Sequence, residues 1–285
     1  MQTSRIEIIK GIFRCSLYFW LGILCIKGYG SKVDTLDTYS PSMKKIIKTV
    51  IITPDSYSKD KAFPVVYLLH GYSGDYSDWV KKAPVIKEYA DQYGTIIVCP
   101  DGNYSSWYLD SPMEVESKYE TYVAHELVEW IDKNYSTIPN RSGRAITGLS
   151  MGGHGALYLA IKHQDTFGIA GSMSGGVDLR PFHGKWEISQ LLGPIGEFPE
   201  RWQMNSVVEL AGTVQFGPME IIITCGSEDF FFGVNNNLHQ ILLERKIPHT
   251  YISAPGGHTW DFWNYSIGLE MEFFHHKFQK FNMHN

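Results

Sequence analysis

The most constraining stretch of the chain is residues 144–156. A short β-prone run pivots at Gly148, Leu149, Ser150, Met151 and Gly152, then continues as a small-residue segment through Leu157, Leu159 and Ile161. A G-x-S-x-G pattern flanked in this way predicts a strand that turns sharply into a helix and lifts the serine above the sheet edge as a nucleophile. The glycines have a physical task. β-Carbons at 148 and 152 would collide where strand and helix nearly touch, and Gly153, Gly155 and Ala156 let the helix lie close on the sheet.

The remaining segments predict the sheet that such a turn needs. Two β-like stretches, residues 33–39 and 46–52, flank a polar turn and read as an antiparallel edge hairpin. Residues 63–69 are almost all apolar, as expected of a strand covered on both faces. They run into His70, Gly71 and Tyr72, a loop that can point a backbone N–H towards a site. A helix over about 84–93 precedes a buried strand over 94–99, and the aromatic, polar loop 103–112 suits a wall of a substrate cleft. Residues 119–135 carry Tyr122, Leu127, Trp130 and Ile131 at helical spacing, which predicts an amphipathic helix with a core face and no chemistry.

Beyond the serine turn, residues 167–176 read as a strand running into a loop. Residues 178–216, with interleaved Pro, Gly and Trp, read as an irregular, cap-like insertion. A buried strand over 219–225 ends in acids, a helix follows over 236–246, and a last strand over 249–253 leads into a Gly-rich loop bearing His258. A final helix carries residues 269–278. Alternation of this kind predicts an α/β architecture with a mostly parallel sheet and helices on both faces.

Ser150, Asp229 and His258 then fall at the carboxyl ends of three different strands, where open α/β sheets bind ligands. In that order each has a role: Ser150 attacks, His258 takes and returns the proton, and Asp229 orients the imidazole. The N–H groups of Met151 and Tyr72 would hold the oxyanion. Glu228 is the alternative acid, and Asp178 also follows a strand end but comes early for the order. His70 and His154 lie near the same rim and read as structural supports.

Composition excludes other classes. With 44% apolar and 14% aromatic residues in 285, the chain can bury a substantial core. A net charge of −5 without long basic runs argues against a nucleic-acid partner. The first thirty residues have Lys10 and Arg14, then an apolar run over 15–25 and a small-residue exit, which predicts a secretory signal peptide cleaved near Gly30. That run is too short to span a bilayer, and bulky Leu24 before Cys25 argues against a lipoprotein anchor. The mature chain would keep only Cys99 and Cys225. No cysteine–histidine zinc spacing or phosphate-cradling loop appears, so no metal or organic cofactor is expected.

Residues 68–79, 148–156, 225–230 and 257–263 together resemble the esterase D group of α/β-hydrolases. That group includes S-formylglutathione hydrolases, tributyrin-type and feruloyl esterases, and antigen 85-type acyltransferases. The resemblance spans roughly residues 33–280. It implies Ser150, Asp229 and His258 as a triad, Tyr72 and Met151 as the oxyanion hole, and Trp107, Tyr108 and Trp260 as borders of the acyl or alcohol pocket. The expectation is a secreted or periplasmic serine carboxylesterase acting on small-molecule or polysaccharide-linked esters, such as acetyl or feruloyl groups. The rivals are an acyltransferase or thioesterase on the same residues, and a non-catalytic binding protein on the same scaffold.

Overall fold

The apolar runs pair into one eight-stranded sheet. The structure, a computed structural model, describes residues 30–282 apart from 214 and 216. The expected leader, including Cys25, therefore lies outside the described residues, Gly30 excepted. Strands β1 (Lys32–Ser40), β2 (Lys45–Thr53), β3 (Val65–Leu69), β4 (Ile96–Pro100), β5 (Arg144–Gly148), β6 (Ile169–Met173), β7 (Glu220–Gly226) and β8 (Thr250–Ala254) lie in the order β1-β2-β4-β3-β5-β6-β7-β8. The β1–β2 hairpin is antiparallel at the sheet edge, β2 joins β4 antiparallel, and every pairing from β4 to β8 is parallel.

Helices cover both faces. One layer holds α1 (Asp78–Lys82), α2 (Ile86–Tyr93) and the C-terminal helix (Trp260–Asn282). The other holds α3 (Tyr119–Thr121), a π-helical turn (Tyr122–Glu126), α4 (Leu127–Asn134) and α5 (Met151–Lys162). The same side carries α6 (Ile188–Leu192), α7 (Pro199–Met204), α8 (Val207–Thr213) and α9 (Phe232–Glu244); the C-terminal helix completes the series as α10. Double coverage explains the unbroken hydrophobicity of the inner strands. Along β3, Val65, Tyr67 and Leu69 face one layer while Val66 and Leu68 face the other, and all five are buried.

Several boundaries differ from expectation for local reasons. The β3 ladder starts at Val65 because Pro64 has no N–H; Phe63 bridges Thr137 instead. Residues 178–216 are less irregular than their Pro and Gly content suggests. They contain α6, α7 and α8 plus a 3₁₀ turn at Arg180–Phe182, and Pro181 and Pro199 sit in first turns, where a missing N–H costs nothing. Cys99 and Cys225 are both free and buried, and burial pushes the Cys225 thiol up to about 12.

The segment expected to be one continuous amphipathic helix is interrupted by the π turn, and the interruption binds the edge hairpin. The wider turn keeps Tyr122 and Glu126 on one side. Tyr122 Oη shares hydrogen bonds with Thr38 Oγ1 (2.6 Å) and Thr49 Oγ1 (3.2 Å). Glu126 accepts from the Ser40 hydroxyl and, at 2.7 Å, from the Ser42 N–H. Glu126→Ala removes both acceptors from the hairpin turn. The expected result is a stability loss of about 1–2 kcal/mol with ester turnover unchanged, read by denaturant unfolding alongside a kinetic assay.

Candidate active site

At the end of β5 the chain cannot turn into α5 without close contact. A β-carbon on Gly148 would lie 2.7 Å from the Gly152 carbonyl and from Leu69 O. One on Gly152 would lie 2.6 Å from the carbonyl oxygens of Leu69 and His70. With those atoms absent, Ser150 takes φ 56° and ψ −115°, a region non-glycine residues seldom occupy. Three hydrogen bonds hold it there. Ser150 N–H donates to Met173 O (2.9 Å), and Ser150 O accepts from His154 N–H (3.0 Å) and Gly176 N–H (3.2 Å).

The exits of β7 and β8 bring the other two side chains to this serine. Asp229 is buried, and its Oδ1 accepts from Phe231 N–H at 2.8 Å. Its Oδ2 lies 2.8 Å from His258 Nδ1, while His258 Nε2 lies 2.9 Å from Ser150 Oγ. A carboxylate only accepts, so Nδ1 carries the proton and the Nε2 lone pair faces the serine hydroxyl. Glu228 is exposed, and its N–H ties this exit to Gly256 O at 3.0 Å. Asp178 pairs with Arg180 instead.

The two expected backbone donors flank the serine, Met151 following it in the chain and Tyr72 lining the same cleft. Met151 opens α5, so its N–H has no intrahelical acceptor. Tyr72 lies in the loop packed over Leu149 and Ser150, and among the described residues neither N–H donates to a protein acceptor. His70 fixes that loop. Gly102 N–H donates to its Nε2 (2.7 Å), leaving Nδ1–H to donate to Gly71 O (2.8 Å). Burial lowers the His70 pKa, in keeping with a neutral ring. His154 is also fully buried, and burial pulls it down to about 4 against the raising effect of the Asn205 and Trp107 carbonyls. Neither ring reaches the serine.

A cleft of about 260 Å³ opens above Ser150 and His258. Trp107 and Trp260 line it. Tyr108 does not: its ring is fully buried, and its hydroxyl both accepts from His70 N–H and donates to His70 O, each at 3.1 Å. Trp107 and Tyr108 are consecutive left-handed residues (φ 51° and 57°), and the first faces the cleft while the second anchors the end of β3. Three further aromatic walls escaped the sequence reading: Trp186, Phe230 and Trp263. Phe230 lies 4.2 Å from the His258 ring and stacks on Trp186 at 5.7 Å. Its position beside Asp229 was the available signal, as was the one-turn spacing of Trp263 from Trp260. Lys82 and Asp78 pair at 2.9 Å on the cleft's polar rim. Among the described residues no group of three or more His, Cys, Asp or Glu could hold a metal ion.

A doubly covered, mostly parallel sheet with a serine at a strand–helix elbow defines the class: an α/β-hydrolase. A family model described as putative esterase matches residues 40–271, and the chain belongs to that family. It is a serine carboxylic-ester hydrolase of the esterase D-like group. An acetyl esterase of Caldicellulosiruptor saccharolyticus is 28% identical over 263 residues, covering 83% of this chain and 96% of the relative. A diacylglycerol acyltransferase/mycolyltransferase of Mycobacterium tuberculosis is 30% identical over 271 residues, covering 82% and 78%. A solved ferulic acid esterase superposes with a TM-score of 0.76 at 27% identity, covering 87% of this chain and 99% of that one.

Gly152→Ala tests the close approach of α5 to the exit of β3 beside Ser150. The added methyl meets backbone oxygens on either side of the β3 exit. The expected outcome is a fall in kcat of about 10²-fold, comparable to losing one oxyanion donor, measured on enzyme whose folded fraction is checked by circular dichroism.

Proposed function

We propose that the protein is an exported carboxylesterase in which Ser150, His258 and Asp229 form the catalytic triad. The observation that carries this reading is the unbroken hydrogen-bonded line from Asp229 through His258 to Ser150, with links of 2.8 and 2.9 Å. In the first half-reaction Ser150 Oγ attacks the ester carbonyl as its proton passes to His258 Nε2. Met151 and Tyr72 N–H groups receive the developing oxyanion, a stabilisation of about 3–4 kcal/mol per donor in related chemistry. His258 then protonates the leaving alcohol, and the acyl-enzyme is hydrolysed by a water that His258 deprotonates. Asp229 stabilises the transient imidazolium.

The cleft walls suit acetyl or hydroxycinnamoyl esters on polysaccharides. Trp107, Trp186 and Phe230 give an apolar wall for an acyl group, while Tyr72, Ser73 and the Lys82–Asp78 rim offer polar groups to a sugar alcohol. The names of the relatives, an acetyl esterase and a ferulic acid esterase, run in the same direction. Export rests on the leader-like composition of residues 1–30. Acyl transfer to an alcohol is the second reading, motivated by the 30% identical acyltransferase.

The deciding experiment measures kcat/KM of the mature protein on p-nitrophenyl acetate, longer p-nitrophenyl esters and methyl ferulate, with and without an added alcohol acceptor. Turnover is expected to vanish in folded Ser150→Ala and free acid to exceed new ester. A folded mutant retaining most activity would defeat the triad, and faster ester formation would make the protein a transferase. A separate comparison distinguishes the two acids. Asp229→Asn should lower kcat by about 10³–10⁴-fold, whereas Glu228→Gln, at an exposed position, should leave it nearly unchanged.

A further inference from the structure

Helix α10 presents Ile267, Met271, Phe274 and Phe278 to the underside of the sheet, and one acid interrupts that apolar stripe. Glu270 is fully buried. Its carboxyl occupies the space that a side chain on Gly171 of β6 would fill, since a β-carbon there would collide with Oε2. On one side Oε2 is hydrogen-bonded to Thr147 Oγ1 of β5; on the other, Thr224 Oγ1 of β7 reaches Oε1 at 3.3 Å.

This bridge lies where the backbone ladder lapses. β5 pairs with β6 at Ala145 and Ile146, and contact resumes only at the Leu149–Met173 bridge. Thr147 and Gly148 fall in the gap, directly before the serine turn. Thr147 precedes Ser150 by three residues and Thr224 precedes Asp229 by five, so one carboxyl spans the two strands whose exits carry nucleophile and acid. We propose that Glu270 is a positioning residue for the Ser150–His258–Asp229 line, tying β5 to β7 across Gly171 and fixing the spacing of the serine from the acid. The inference rests on the triad reading above.

The bridge works with the proton on. Burial drives the Glu270 pKa from its ordinary 4.5 up to about 8, outweighing the opposing pull of Thr147, Thr224 and the Ser172 amide. Among the described residues no cation offsets that burial. The groups facing the carboxyl from β5, β6 and β7 are Thr147, Gly171 and Thr224, and Phe274 closes the α10 side. From α2, the Tyr89 hydroxyl lies against Gly268 and Tyr93 against His275, whose pKa is itself lowered by burial. Lys277 and Lys280 each pair with Glu220 where β7 begins. The folded protein therefore holds a proton that the unfolded chain releases near 4.5. The stability this proton contributes is complete below that pH and is lost as pH rises through about 8.

The test compares wild type, Glu270→Gln and Glu270→Ala, each titrated with a fluorophosphonate so that kcat is counted per reactive serine. Glu270→Gln keeps the shape and both hydrogen-bonding roles without the titration. It should retain the neutral-pH kcat, lose an alkaline limb near pH 8 shown by wild type, and gain in Tm over wild type progressively from pH 5 to 8. Glu270→Ala should lower kcat per titrated serine by about 10²-fold with KM nearly unchanged. A residue with only a structural role would change Tm and the titratable fraction but neither of these. The same alkaline limb in Glu270→Gln, or an unaltered kcat per serine in Glu270→Ala, overturns the proposal. Failure of the fluorophosphonate to label Ser150 in wild type overturns instead the triad on which it rests.

Discussion

The structure depends on a near-collision. β5 and α5 meet at Gly148 and Gly152 with backbone atoms where β-carbons would otherwise stand, and Ser150 sits between them in a backbone conformation that costs about 1–3 kcal/mol. Such a residue persists only if its surroundings over-determine it. Here they do: its N–H is held by β6, its carbonyl by two separate N–H donors, and its strand by burial on both sheet faces. The mostly parallel sheet is the rigid body against which the strain is stored, and the exposed rim of that body is where the serine emerges.

Three histidines lie near this rim, and their partners, more than their positions, give them different capacities. His70 has a backbone N–H on one nitrogen and a carbonyl on the other; both positions are filled, and burial favours the neutral ring. His154 faces two carbonyls and is likewise held neutral. Each uses its ring to fasten one loop to another. His258 alone has a carboxylate on one nitrogen and a hydroxyl on the other, so a proton arriving at Nε2 meets a waiting counter-charge behind it. Phe230, Phe231 and Trp263 pack around that ring.

Much of this was legible in the sequence because it is local. The serine turn, the apolar strands, the edge hairpin and the Gly-rich loop bearing His258 each announce themselves within about ten residues, through glycine spacing or periodicity. What was missed is formed by contacts distant along the chain. Tyr108 reads as a cleft aromatic until its hydroxyl is found on His70, 38 positions away. Trp186 belongs to the cleft because short helices in residues 178–213 bring it against Trp107, whose indole N–H it accepts through its carbonyl at 3.2 Å. Glu270 looks like one polar residue in an amphipathic helix; only the missing side chain at Gly171 reveals where its carboxyl goes.

The division between local and distant also separates reaction from substrate. The family includes proteins described as an acetyl esterase and as an acyltransferase, with identities to this chain of 28% and 30%. A serine, a histidine and an acid serve both outcomes, because the acyl-enzyme is common to them and only the second nucleophile differs. On the proposed triad, water or alcohol would reach the carbonyl along His258 Nε2. The cleft of this chain is lined by Trp107, locked through its indole and buried, and by Phe230, 55% exposed and held chiefly by stacking. On the proposed triad, a fixed wall would select by shape and an exposed ring over His258 would govern how readily a small nucleophile enters. The choice between hydrolysis and transfer would then lie with aromatic residues that the motifs leave unspecified.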